Sequence, residues 1–225
     1  MTTTTGPTTT GPTTTTGPAT TGPATTTGPA TTTGPATTGP PRSRENHVTT
    51  GATVWLTGLP SAGKTTIARE LADRLREEGR RVELLDGDEI REFLSAGLGF
   101  DRADRHTNVQ RIGFVAELLA RNGVTALVPV IAPYADSRDA VRERHGANGT
   151  AYVEVHVATP VEVCSVRDVK GLYAKQAAGE LTGLTGVDDP YEEPVKPDLR
   201  IESQDQTVQE SAAAVHALLT ERGLA

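Results

Sequence analysis

Eight consecutive residues limit the folds open to this chain more than any other feature. Gly58-Leu59-Pro60-Ser61-Ala62-Gly63-Lys64-Thr65 fits the pattern G-x-x-x-x-G-K-[ST] in every required position. Before it, Ala52-Thr53-Val54-Trp55-Leu56-Thr57 is a short apolar, β-favouring run ending at Gly58, as a buried strand would. After it, Ile67, Ala68, Leu71, Ala72 and Leu75 make a helical stripe that Gly79 stops. A glycine-rich turn between strand and helix aims backbone amides and a helix N-terminus at one point, which suits phosphate. Lys64 would bring a point charge to the β- and γ-phosphates, and the Thr65 hydroxyl would join a Mg²⁺ shell. A chance glycine-rich turn could match the string but not its strand–helix setting. The sequence therefore predicts a nucleoside triphosphate site.

The pattern continues downstream. Val82-Glu83-Leu84-Leu85 reads as a second strand, and 107–122 as a helix with Ile112, Val115, Ala116 and Leu119 on one face. Residues 125–131 and 152–157 are further buried strands, and Leu199-Arg200-Ile201 is a weak last strand before a helix over about 206–222. Strands alternating with helices predict parallel βαβ units in a three-layer α/β domain.

Composition places the rest. The first 41 residues hold 21 Thr, 8 Pro, 7 Gly, 4 Ala and Met1, so all 22 basic and 29 acidic residues lie beyond them. Such a segment cannot bury enough apolar surface to offset its chain entropy, and residues 1–45 are expected to be a disordered tail before a domain at 46–225. A glycosylated stalk would need secretion, and no basic region followed by an apolar stretch is visible. No apolar run approaches the length of a membrane span. The net charge of −7 argues against a broad nucleic-acid or anionic-membrane surface. The lone cysteine, Cys164, can form neither an internal disulfide nor a zinc site, so a reducing, cytoplasmic setting is expected.

Three further clusters carry chemistry. Asp86 and Asp88 fall at the end of the second strand, where parallel sheets present ligands. Either could hold Mg²⁺ through water or orient an attacking hydroxyl, while Asp88 could equally be a helix N-cap. Arg105 and Asn108, three apart on one helix face, can reach one anion, although a solvated charge run has the same look. His106 reads as their surface neighbour. Arg167-Asp168-Val169-Lys170-Gly171-Leu172-Tyr173 joins two helices and carries two cations beside a glycine hinge, as a lid or a plain connection would. Cys164 reads as a core residue.

The residues Trp55-Leu56-Thr57-Gly58-Leu59, Leu85-Asp86-Gly87-Asp88, Leu98-Gly99-Phe100, Asp104-Arg105 with Asn108, and Ala132-Pro133-Tyr134 occur in order. Arg167-Asp168 with Lys170-Gly171-Leu172-Tyr173, then Thr185-Gly186-Val187-Asp188-Asp189-Pro190-Tyr191-Glu192, follow. Together they resemble the adenylylsulfate (APS) kinase family from about Gly51 to Arg222. The resemblance implies the P-loop NTPase fold and transfer of the ATP γ-phosphoryl to the ribose 3′-hydroxyl of APS, giving PAPS and ADP in sulfate activation. It implies Lys64 and Asp88 as catalytic groups, with Asp88 orienting the 3′-hydroxyl. ATP would be held by Gly58, Leu59, Pro60, Ser61, Ala62, Gly63, Lys64, Thr65 and Thr66, with Arg167 bordering its adenine. Arg91, Arg105 and Asn108 would hold the phosphosulfate, Phe100 would pack on the APS adenine, and Ile131 and Leu184 would complete that site. Lys170 would ride on the lid, and Thr65 and Asp86 would serve Mg²⁺. A homodimer is expected, with ATP sulfurylase as a partner.

The sequence departs from the family's pattern at three places: Pro60-Ser61 replaces Ser-Gly, Leu184 a Phe, and Ala132 a Ser. A P-loop kinase of another small hydroxylated molecule would share the loop and the Asp pair. It would not need Arg105 and Asn108 aimed at a second anion. A non-catalytic nucleotide-binding protein would be expected to have lost Lys64 or Asp88, and both are present.

Overall fold

The structure, a computed structural model, describes residues 50–225; the reading of residues 1–45 as a tail lies outside the described residues. Five strands form one sheet: β1 (Ala52–Thr57), β2 (Val82–Leu84), β3 (Thr125–Pro129), β4 (Ala151–Val157) and β5 (Leu199–Ile201). Their order is β2-β3-β1-β4-β5, and every pairing is parallel. Every residue of β1 is buried, because a central parallel strand has helices on both faces and so reads as a continuous run.

The helices divide by face. Val54 and Leu56 pack towards α1 (Lys64–Glu77) and α7 (Val208–Glu221), with Ile67, Leu71, Leu75, Val215 and Leu219. Trp55 points the other way, towards Val109, Ile112 and Ala116 of α3 (Arg102–Arg121) and Val141 of α4 (Ala135–Ala147). Alternation along one strand thus feeds two cores, giving the expected three-layer α/β/α domain. Two short helices, α5 (Val161–Arg167) and α6 (Leu172–Ala177), join the first core through buried Cys164 and Tyr173. Cys164 is a free, buried thiol, as read from the sequence.

Some boundaries shift. Strand β3 ends at Pro129 and not at 131, and α3 begins at Arg102, five residues before the expected start. One further helix, α2 (Gly87–Phe93), is capped by Asp86, whose side chain accepts from the Asp88 N–H at 3.1 Å. The N-cap is therefore Asp86 and not Asp88, because the chain turns helical one residue after the strand's exit loop. Among the described residues no helix is long and apolar enough to cross a membrane.

Candidate active site

Strand order reverses at β1: the chain first moves to the β2 edge and later to the β5 edge. At such a reversal the loops beyond the carboxyl ends of the strands diverge and leave a crevice. Here that crevice is a cavity of about 1340 Å³. A single small-ligand site runs to roughly 300–1,000 Å³, so this one has room for two nucleotide-sized molecules.

The loop after β1 lines one side. Gly58 has φ 153°, and a Cβ there would meet the Val157 carbonyl oxygen at 2.5 Å, so only glycine fits where the loop passes β4. Gly63, at φ 103°, turns the chain into α1. Ser61 holds φ 60°, a left-handed conformation unfavourable for a residue with a Cβ. Lys64 is buried, and its Nζ donates to the Gly58 and Leu59 carbonyls at 2.9 and 2.7 Å. Burial pushes its pKa down to about 8, against the opposing pull of Cys164, Asp88 and Asp86. The ammonium is held ready by carbonyls that a phosphate oxygen can replace.

Opposite the loop, α2 and α3 contribute the second group of predicted residues. Asp88 forms an ion pair with Lys170 of the Arg167–Gly171 segment, and both residues line the cavity. Phe100 is largely exposed, with the Arg91 guanidinium 4.1 Å from its ring centroid on one face. Arg105 is buried and donates to the Phe100 carbonyl (2.6 Å), the Thr185 hydroxyl (3.1 Å) and the Gly183 carbonyl (2.7 Å). Asp189 lies 3.6 Å from it. Asn108, one turn on, lines the cavity with a buried Oδ1 that has no hydrogen-bond partner among the described residues. A buried acceptor without a donor is costly, and a ligand N–H or O–H would satisfy it.

Between the two sides runs the loop after β3. The Thr57 hydroxyl donates to the Ile131 carbonyl at 2.6 Å, and the Tyr191 hydroxyl lies 3.0 Å from Thr57. Ala132 follows at φ 43°, its carbonyl held by Arg138 at 2.7 Å. The lid residues are anchored as well: the Val169 N–H donates to the Ser61 hydroxyl at 3.3 Å, and the Tyr173 hydroxyl donates to the Pro60 carbonyl at 3.1 Å.

The predicted residues Pro60–Thr66, Asp86, Asp88, Arg91, Phe100, Arg105, Asn108, Ile131, Arg167 and Lys170 all line this one cavity. Gly58, Leu59 and Leu184 do not line it. Leu184 is buried in the first core, its N–H and that of Gly183 held by the Asp188 carboxylate. His106 is exposed, its Nδ1 2.9 Å from the Ser137 hydroxyl. Sequence reasoning missed Ser203, Gln206, Val208 and Ser211, which line the end beside Arg167. The available signal was position: they follow β5 and open α7, at the same edge as the other loops.

Six cations (Lys64, Arg69, Arg91, Arg105, Arg167, Lys170) and four carboxylates (Asp86, Asp88, Glu89, Glu92) line the cavity, so the lining carries a modest positive excess inside a chain of net charge −7. Among the described residues no cluster of three or more acidic, His or Cys side chains could hold a metal alone. The Thr65 hydroxyl and the Asp86 carboxylate are hard oxygen donors on the same cavity, and they suit Mg²⁺ when it shares phosphate oxygens.

Comparison with known proteins agrees with this geometry. A family model described as adenylylsulphate kinase matches residues 50–202. An adenylyl-sulfate kinase of Rippkaea orientalis is 52% identical over 173 residues, covering 77% of this chain and 93% of that protein. Another, of Halothermothrix orenii, is 49% identical over 173 residues, covering 77% and 91%. The Mycobacterium tuberculosis APS kinase, solved in complex with AMPPNP and APS, superposes with a TM-score of 0.74 at 45% identity, covering 76% of this chain and 98% of that one. A shikimate kinase of Acinetobacter baumannii, at 24% identity and a TM-score of 0.51, shares the fold alone. With the loop, the α2 and α3 residues and the Arg167–Lys170 segment around one cavity, the chain belongs to the adenylylsulphate kinase family.

Proposed function

We propose that this cavity transfers the γ-phosphoryl group of ATP to the ribose 3′-hydroxyl of APS, giving PAPS and ADP. The observation that carries the reading is the pairing, around one two-nucleotide cavity, of the phosphate loop with Phe100, Arg91, Arg105 and Asn108. Phosphoryl transfer asks a protein for alignment and charge stabilisation, with little covalent chemistry of its own. Lys64 exchanges its carbonyl partners for the β- and γ-phosphates and stabilises charge as the bond to the leaving oxygen breaks. Asp88 accepts the hydrogen bond of the 3′-hydroxyl, orients it in line, and takes its proton as the new O–P bond forms. The lid's Lys170 then shares Asp88 or turns to the phosphates. Arg105 keeps N–H groups beyond its three bonds and, with Arg91, meets the phosphosulfate, while Phe100 offers the APS base a ring to stack on. Thr65 and Asp86 would hold Mg²⁺, which supplies charge neutralisation on the triphosphate.

Ala132 and Pro133 carry no nucleophile, so the transfer is read as direct. We take residues 46–225 as the catalytic unit and residues 1–45 as an arm outside it. The buried free thiol suits the cytoplasm. A homodimer is proposed, a hexamer being named for the Thiobacillus denitrificans relative, with ATP sulfurylase as the partner that supplies APS. The test is mass-spectrometric detection of PAPS after mixing the protein with Mg-ATP and APS, in the presence of excess nucleosides or gluconate. PAPS formation that neither competitor slows is expected; phosphorylation of a competitor in place of APS would overturn the reading.

A further inference from the structure

Three elements outside the phosphate loop converge on one of its carbonyl groups. The Ala62 carbonyl oxygen lies 2.9 Å from the Thr159 hydroxyl, 2.9 Å from the Ser203 hydroxyl and 3.3 Å from Arg167 Nη1. Thr159 follows β4, Ser203 follows β5, and Arg167 ends α5. The two hydroxyls are themselves 2.6 Å apart, and Arg167 Nη1 also donates to Ser203 Oγ at 3.2 Å. One hydroxyl donates to the carbonyl, and the other donates to it or to its neighbour, so the cluster is satisfied. Thr159 is 4% exposed and Ala62 is fully buried, so the bond between them is protected from water, while Ser203 and Arg167 reach the same carbonyl from the half-buried side.

A peptide unit is planar and trans, so its C=O and N–H point in opposite directions. Fixing the Ala62 carbonyl therefore fixes where the Gly63 N–H points. Gly63 lines the cavity and holds φ 103°, a conformation with wide freedom in a glycine unless something pins it. The catalytic reading gives Thr159 and Ser203 no part. We propose that their hydroxyls are positioning groups for nucleotide binding. They pin the Ala62 peptide, aim the Gly63 amide at the phosphate chain, and tie the loop to the Arg167 end of the cavity. Preorganised amides bind an anion without reorganising, which is where the gain arises.

The inference rests on the loop being the ATP site, so its test includes a control for that reading. ATP binding is measured by calorimetry and KM for ATP and for APS by steady-state kinetics. The variants are Thr159→Val, Ser203→Ala, the double variant, Thr159→Ser, Ser203→Thr and Lys64→Ala. The double variant should raise KM for ATP about tenfold and leave KM for APS within about twofold. Thr159→Ser and Ser203→Thr should restore the wild-type value. Equal shifts in both KM values, no shift, or hydroxyl-keeping variants as impaired as the ablations would overturn the positioning role. If Lys64→Ala binds ATP as the wild type does, the loop reading itself fails. Should Thr159→Val not fold, Ser203→Ala, at the less buried position, decides by the same criteria.

Discussion

Lys64 is the residue where burial and function meet most directly. Its ammonium is charged below about pH 8 and loses that charge as pH rises through this value, because burial favours the neutral amine. ATP affinity should therefore hold steady from pH 6 to 7.5 and fall above pH 8, by up to about tenfold per pH unit. Calorimetric titrations across that range check it, and in Lys64→Ala the dependence should vanish as kcat falls about 10²-fold or more. Arg105 calls for a different expectation. Because three protein oxygens hold it, Arg105→Ala should raise KM for APS well above any change for ATP and also lower Tm, which kinetics and a thermal melt read separately. A Tm loss with both KM values unchanged would make it a purely structural residue. At this scale the spacing of the phosphate loop was readable, because its glycines and lysine follow from the ligand's own dimensions, whereas spacing left Asp88 and Arg105 open and the structure adds that they line the same cavity. Leu184 was not legible: the Asp188 carboxylate holds its N–H and turns the side chain into the core, and no spacing rule reports that direction.

Among the elements, α4 escaped sequence reasoning for a physical reason. Its buried face is Ser137, Arg138, Val141 and His145, a helical stripe with one apolar member. Hydrogen bonds and an ion pair replace apolar contact on that face. Arg138 donates to the Ala132 and Glu192 carbonyls at 2.7 and 2.6 Å and pairs with Glu154 at 3.0 Å. Burial holds the His145 pKa below its ordinary value, so the ring is neutral between Val141 O (2.8 Å) and Thr53 Oγ1 (2.9 Å). Hydrophobic periodicity cannot see a stripe of this kind, whereas β1, α1 and α3 bury apolar residues at regular spacing and were visible. The lid from Arg167 to Gly171 makes a prediction of its own. Ser61 accepts the Val169 N–H from a left-handed backbone that glycine would adopt without strain. Ser61→Gly should relax the loop but release the lid, so amide exchange at Val169 and Lys170 should quicken while α1 stays protected. Unchanged exchange at those two amides would mean that the Ser61–Val169 bond does not hold the segment, which the Asp88–Lys170 pair and the Arg167 and Tyr173 contacts then keep in place.

For the molecule as a whole, the β5 edge depends on Asp198. Its carboxylate accepts from the Glu154 N–H at 2.8 Å, Arg142 at 3.0 Å and Arg222 at 2.8 Å, so it joins β4, α4 and the end of α7 beside β5. Burial would raise its pKa, but the Glu154 amide and the two guanidinium groups outweigh that and hold it below the ordinary carboxylate value. A depressed pKa in the folded state means that the unfolded chain binds the proton first. The carboxylate's contribution is therefore complete above the unfolded value near 4 and is lost as pH falls through the folded value. Asp198→Asn keeps the shape but removes the charge, which should cost about 1–3 kcal/mol at pH 7. For a domain of this size that corresponds to a Tm lower by roughly 2–12 °C. Melts of both proteins at pH 7 and pH 3 decide the matter: the gap should be smaller in acid, as pH falls towards the depressed folded value and the wild-type carboxyl begins to take up its proton. A gap of the same size at both pH values would show that the asparagine disturbs packing, and that the charge of Asp198 does not close this edge of the domain.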